Sequence, residues 1–280
     1  MPELPEVETI RRDLLRNIAG GHISRARIHS AGLRYPFPDD FAESLDGAAI
    51  KSIERRAKFL LLKLTDGKIW VTHLGMTGHF ALDRLNDHGE TPDRKYRHFE
   101  CEVKTDAGRF RLSYCDQRRF GYMLVLSESE LQAADWYQEL GVEPLSDDFT
   151  GAVLEQLTAG KKADIKSLLT DQKRIAGIGN AYVCEALWTA KVLPDRPAGS
   201  ISKQESSEIA KAVKSVLSDA VEAGEATITA DETAGQDGYF DFEFKIYDRE
   251  GAPCPRRDGG TIEWKTSKGR STFFCAVCQK

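Results

Sequence analysis

The chain has 280 residues, of which 41% are hydrophobic, 30% charged and only ten proline, which excludes a disordered polymer; a mean hydropathy of -0.43 argues against a membrane-embedded chain. A formal charge of -5 argues mildly against a nucleic-acid binder, but that average conceals a division. Residues 201–243 carry ten acids against three lysines, while residues 244–280 carry eight lysines and arginines against four acids, and a local basic surface binds phosphates whatever the global sum. No stretch approaches the roughly eighteen apolar residues of a spanning helix. The start lacks the basic and apolar runs of a signal peptide, so a cytoplasmic protein is expected.

Along the chain, Val7, Ile10, Leu14 and Ile18 recur at helical spacing and Gly20-Gly21 stops the helix. From about residue 22 to 127 short β-branched or aromatic runs alternate with turn residues: HISRARIH, AIKSIERRAKFLLLKL, KIWVTHL, HFECEVKT, GRFRLSY and GYMLVLS. They predict an antiparallel sandwich or barrel. Residues 140–149, with a glycine, a proline and an acidic pair, read as a linker. Helices are expected over 150–159, 164–171, 180–191 and 202–223, and the last forty residues return to hairpin composition in FDFEFKIYDREG, TIEWKT and RSTFFC. Strands and helices in separate blocks indicate an α+β multidomain chain.

Several segments carry candidate chemistry. Removal of Met1 leaves a secondary amine at Pro2, which titrates near neutrality and is a nucleophile toward an aldehyde-like carbon; Glu3 and Glu6 stand ready to handle protons. The bland alternative is a rigid start with two acids favouring a helix N-terminus. Lys58, in RRAKFLLL, is either a solvated strand lysine or a functional one. HLGMTGHF sets Met76 in a glycine-flanked turn, and YCDQRRFGYM presents Arg118 and Phe120 before Gly121. Together they suit a wedge in a base stack, although a core methionine and arginines paired with Asp116 explain them as well. In KRIAGIGNAYVCEALW a glycine turn opens a helix that Asn180 can cap. Lys162, Lys166, Lys173 and Arg174 make its surroundings basic, which suits a phosphate or simply a tightly packed helical hairpin.

Half of the six cysteines fall in the last 27 residues. Cys275 and Cys278 form a CxxC closing a basic hairpin, one half of a zinc ribbon; the other half offers Cys254 and, where a second thiol is expected, Asp258. One Zn2+ held by three cysteines and an aspartate is the expectation, an unfilled hairpin the alternative.

In order and across the whole chain, MPELPEVETIRR, RRAKFLLL, HLGMTG, DQRRFG, GIGNAYVCEALW and REGAPC...GRSTFFCAVCQK resemble the formamidopyrimidine-DNA glycosylases, bacterial enzymes that excise oxidised purines. The resemblance implies an N-terminal antiparallel β-sandwich, a helix-two-turns-helix domain and a zinc-finger β-hairpin, with DNA held between the lobes. Residues 1–139 would be the catalytic domain, 140–149 the linker, 150–243 the helical DNA-binding domain and 244–280 the finger. It further implies that Pro2 attacks C1' of the damaged nucleotide, with Glu3 as acid and base and Glu6 in support. Lys58 and Arg270 would serve DNA contact and strand cleavage. Met76, Arg118 and Phe120 would form the wedge, and Lys162 and Asn180 would hold phosphates. The substrate would be double-stranded DNA with an oxidised base or abasic site, bound by a monomer.

The chain departs from the family pattern in three places: Asp258 in the finger, Tyr96 where a phosphate-contacting histidine is expected, and an acidic segment with Gln236 near the usual lysine of the lesion-capping loop. Two other readings are open: an endonuclease VIII-like enzyme for oxidised pyrimidines, and a damaged-DNA binding protein that has lost catalysis.

Overall fold

The structure, a computed structural model, describes residues 2–85, 93–224 and 242–280. They divide into two compact units, one formed by the chain up to Gln138 and the other by Glu139–Ala223 with Phe242–Lys280. No helix among the described residues is long and apolar enough to cross a membrane.

In the first unit, helix α1 (Leu4–Ile18) begins with Pro5 in its first turn. It buries Val7, Ile10, Leu14 and Ile18 on one face, as their spacing predicts. Strand β1 (His22–Ile28) and helix α2 (Phe41–Leu45) follow, then β2 (Ile50–Arg56), β3 (Phe59–Leu64), β4 (Lys68–His73), β5 (His79–Arg84), β6 (Arg97–Thr105), β7 (Gly108–Cys115) and β8 (Tyr122–Ser127), and last the short helices α3 (Glu128–Ala133) and α4 (Asp135–Gln138). The strands form two antiparallel sheets, ordered β1-β6-β7-β5 and β2-β3-β4-β8. Both sheets and α1 contribute to one core, where Trp70 meets Phe80 and Phe99 edge-on with ring centres 5.9 and 5.2 Å apart. Strand β5 escapes the sequence pattern because Asp83 interrupts its apolar run; in the fold Asp83 is buried under a two-pronged contact from Arg94.

The second unit holds α5 (Gly151–Thr158), α6 (Ile165–Leu169), α7 (Asn180–Thr189) and α8 (Lys203–Ala223), then the hairpin β9 (Glu263–Ser267) and β10 (Arg270–Phe274). Thr150 and Asp164 cap α5 and α6 by accepting the backbone N–H of Val153 and Ser167. Helices α5 and α7 pack against α8, whose Ile209, Val213 and Leu217 are fully buried. Residues 140–149 form neither helix nor extended strand. They are nonetheless bonded into this unit: the N–H groups of Gly141 and Val142 donate to the carbonyls of Gln172 and Arg174.

Three local expectations differ from the fold. Lys58 is not on a strand: Ala57 and Lys58 make the two-residue turn between β2 and β3, and Ala57 takes the positive φ (52°) that such a turn demands. FDFEFKIYDREG contributes no strand among its described residues. Phe242, Phe244 and Tyr247 instead form a ladder of rings beginning at Tyr182, while the N–H groups of Ile246 and Tyr247 donate to the buried carboxylate of Glu185. The alternation is real, but a carboxylate replaces the partner strand. Finally, Asn180 does not cap α7; Gly179 occupies that position without a side-chain bond.

Candidate functional site

The start of α1 places three candidate residues within one turn. Pro2 is half-buried and Glu3 buried. The Glu3 carboxylate accepts the backbone N–H of Glu6, and Glu6 Oε2 accepts the N–H of Glu3 at 2.8 Å. This reciprocal cap satisfies two orphan donors and fixes both carboxylates beside Pro2. The helix-favouring reading of these acids is thereby correct, and it is also what would orient them for chemistry. Met1 lies outside the described residues.

Farther along α1, Glu8 ties this helix to the turn that carries Lys58. Arg55 donates through Nε to Glu8 Oε2 at 3.1 Å and through Nη1 to the carbonyl of Ala57 at 3.0 Å. Burial favours the neutral acid at Glu8, but hydrogen bonds and charge from Arg11, Arg12 and Arg55 outweigh it and hold its pKa below the usual carboxylate value.

His73, at the end of β4, was not singled out in the sequence, although it opens HLGMTG. Its ring stacks on Tyr122 at 5.4 Å and meets Phe59 at 4.9 Å. Burial, with the charges of Lys58 and Arg34 adding to it, lowers its pKa to about 4. The N–H of Gly75 donates to His73 Nδ1 at 3.0 Å, so the neutral ring carries its proton on Nε2. A buried neutral histidine stabilises the fold fully above its unfolded pKa, near 6.5, and loses that contribution as pH falls toward 4. Urea midpoints measured from pH 7 to pH 4 are expected to fall less in His73→Gln than in the parent protein; equal slopes would contradict the assignment.

Two turns come together. Residues 74–78 link β4 to β5, and residues 116–121 link β7 to β8. Met76 is half-buried rather than in the core, Phe120 is 43% exposed, and the Arg118 guanidinium lies over the Phe120 ring at 4.7 Å. Neither Arg118 nor Arg119 pairs with Asp116 among the described residues, so the ion-pair explanation of these arginines does not hold. Tyr96 is exposed, at a positive φ of 59°, and its carbonyl accepts the N–H of Asp116.

In the second unit a pocket of about 400 Å³ is lined by Lys161, Lys166, Arg174, Asn180, Lys268 and Arg270, among others. Lys166 is buried and donates to Ser271 O and Thr272 Oγ1; burial, aided by Arg270, lowers its pKa. Asn180 Nδ2 donates to Ser271 O at 2.9 Å. These bonds fix β10 beside Arg270, which has no carboxylate partner among the described residues. Lys162, also expected here, is exposed and does not line the pocket, whereas Lys161 and Lys268 do and were not foreseen. Lysines in a mixed loop give no sequence signal of direction.

Below the hairpin, one ligand atom each from Cys254, Asp258, Cys275 and Cys278 lies within 4.8 Å of the others. Asp258 Oδ1 accepts the N–H of Gly260 at 2.9 Å, and Oδ2 lies 3.4 Å from Cys254 Sγ. A Cβ on Gly260 would sit 2.6 Å from Cys275 Sγ; the backbone closes on the cluster because that residue has no side chain. Three thiols and a carboxylate at this spacing fit a tetrahedral metal. The altered capping segment with Gln236 lies outside the described residues.

A double antiparallel sheet beside a helix start capped by Glu3 and Glu6, and a helical unit ending in a hairpin with a candidate metal cluster, define the architecture of a base-excising DNA glycosylase. The chain belongs to the formamidopyrimidine-DNA glycosylase family. That family's N-terminal domain matches residues 1–123 and its H2TH domain residues 140–232. Formamidopyrimidine-DNA glycosylases of Chelativorans sp. and Caulobacter vibrioides are 41% and 42% identical to it, with both chains covered completely. Among solved structures, Lactococcus lactis Fpg with abasic-site DNA is 29% identical with a TM-score of 0.87 over all of both chains; a mutant of the L. lactis protein with Fapy-dG DNA is 28% identical at the same score and coverage.

Proposed function

We propose that this chain excises 8-oxoguanine and formamidopyrimidines from duplex DNA and then cleaves the abasic strand through a Schiff base on Pro2. The reciprocal cap of Glu3 and Glu6 beside Pro2 carries this reading. The lone pair of the Pro2 nitrogen attacks C1' and the C1'–base bond breaks with its electrons leaving on the base; the amine then loses its proton, and its lone pair opens the C1'–O4' bond, whose electrons leave on O4' to be protonated, giving a cationic iminium. Glu3 exchanges protons with the base and the opening sugar, with Glu6 holding its backbone. The iminium acidifies the C2' proton, whose removal expels the 3' phosphate; a second elimination expels the 5' phosphate. Lys58 serves DNA contact and proton transfer, while Arg270, Lys162 and Asn180 hold phosphates beside the basic pocket. Neutral His73 joins them as an N–H donor.

Met76, Arg118 and Phe120 fill the space of the extruded nucleotide, because C1' is buried in an intact duplex, and Tyr96 faces the backbone nearby. Zinc held by Cys254, Asp258, Cys275 and Cys278 supplies a structural cross-link for the hairpin. Residues 1–139 act as the catalytic domain, 150–243 as the helical DNA-binding domain and 244–280 as the finger, joined through 140–149. The enzyme works as a monomer in the cytoplasm, where the DNA lies.

A panel of lesion duplexes tests the substrate class: excision of 8-oxoguanine is expected to exceed excision of oxidised pyrimidines, and the reverse order would move the chain to the endonuclease VIII-like branch. Glu3→Gln preserves an acceptor for the cap but not the acid, so single-turnover base excision is expected to fall by about 10²–10⁴-fold with an unchanged thermal midpoint. Full excision by this variant would remove Glu3 from the proton chemistry.

A further inference from the structure

Asp116 has no accessible surface, yet no lysine or arginine side chain neutralises it among the described residues. Its carboxylate is spent on the two turns that carry the wedge. Oδ1 accepts the Thr77 hydroxyl at 2.5 Å and the Arg118 N–H at 3.2 Å, and Oδ2 accepts the Gly121 N–H at 2.8 Å. Thr77 Oγ1 in turn accepts the Arg118 N–H at 3.0 Å. One turn thus reaches across to the other through the hydroxyl of the residue that follows Met76. The turns also touch directly, since a Cβ on Gly75, itself at φ 67°, would lie 2.3–2.6 Å from backbone atoms of Phe120 and Gly121. From outside, Tyr96 O accepts the Asp116 N–H, and His98 Nε2 lies 2.8 Å from Asp116 O with its Nδ1 2.8 Å from Ser30 Oγ.

We infer that Asp116 and Thr77 are positioning residues that make Met76, Arg118 and Phe120 a single preassembled wedge and thereby set selectivity for a stacked lesion. This rests on the wedge reading above. Charge-assisted hydrogen bonds in a buried setting are short and strong, so the two turns are ordered when the protein folds. If they moved independently, each would have to be ordered against the base stack at the moment of insertion, and that entropy would be taken from the extrusion step. The cost falls on a substrate whose base must leave a stack. An abasic site, with no base to unstack, is affected far less.

The test is Thr77→Val, which keeps shape and removes the hydroxyl, compared with Thr77→Ser, which keeps it. Single-turnover rates are measured on an 8-oxoguanine:cytosine duplex and on the matching abasic duplex. Thr77→Val is expected to slow lesion excision about tenfold and to leave abasic incision within about twofold of the parent, with Thr77→Ser restoring excision. Asp116→Asn, which turns one acceptor into a donor facing N–H groups, is expected to shift the same ratio further. Met76→Ala separates the two levels of the argument. If it leaves excision intact, the wedge reading itself fails and takes this inference with it. If Met76→Ala slows excision while Thr77→Val does not, or if Thr77→Val slows both substrates equally, the wedge stands and the coupling through Asp116 is overturned.

Discussion

Replacing Pro2 with glycine is expected to lower single-turnover excision of 8-oxoguanine by at least about a thousandfold and to abolish borohydride trapping on the intact lesion. A secondary amine can yield only a cationic iminium, which stays an electron sink at every pH, whereas a primary amine yields an imine that must be protonated first. Glycine also loses the fixed φ that holds the nitrogen against the capped helix start. An aldehyde already formed at an abasic site condenses with any accessible terminal amine, so some trapping should persist on that substrate. Pro2→Leu, whose bulky second residue retains Met1, is likewise expected to give no trapping on the intact lesion. Peptide mapping of the trapped adduct decides the matter: attachment elsewhere than Pro2, or full excision by protein that keeps Met1, ends the proposed mechanism.

Asp258→Ala is expected to cost the hairpin its metal. The donor set has four members, and the side chains packed around it, Trp188, Ile246 and Phe273 with the cysteines themselves, form a small cluster. A core of that size holds a two-stranded hairpin only with a cross-link. Loss of one ligand should weaken zinc binding by more than about a hundredfold, raise amide exchange around Arg270, and weaken DNA binding with a shallower salt dependence, because a phosphate contact is lost. Asp258→Cys should hold zinc at least as tightly. Metal content by mass spectrometry after dialysis against a chelator, with exchange rates on the same samples, provides the check. A parent protein that carries no metal and binds DNA fully would refute zinc as the cross-link.

How legible the molecule was depends on the range of the interaction concerned. Helix α1 could be read because Val7, Ile10, Leu14 and Ile18 repeat at the helix's own period. The second unit's four helices were read to within a few residues, since capping by Thr150 and Asp164 is encoded a few positions from the groups it serves. FDFEFKIYDREG misled because its partner, Glu185, is some sixty residues away. His73 stayed hidden for a similar reason: its low pKa comes from burial and from Lys58 and Arg34 on other segments.

The sequence alone determined helix α1, most strands of the first unit and the four helices of the second, the order of the motifs, the candidate nucleophile with its two carboxylates, and the unusual aspartate among the candidate finger ligands, since each is a property of residue type and short spacing. Only the tertiary structure decided that Lys58 sits on a turn, that Lys161 and Lys268 rather than Lys162 line the basic pocket, and that Asp116 binds the two turns that carry Met76, Arg118 and Phe120. Those outcomes depend on which backbone N–H groups and charges converge across long stretches of chain. Such convergence is fixed by packing two sheets on one core and a hairpin on two helices, and no local pattern records it.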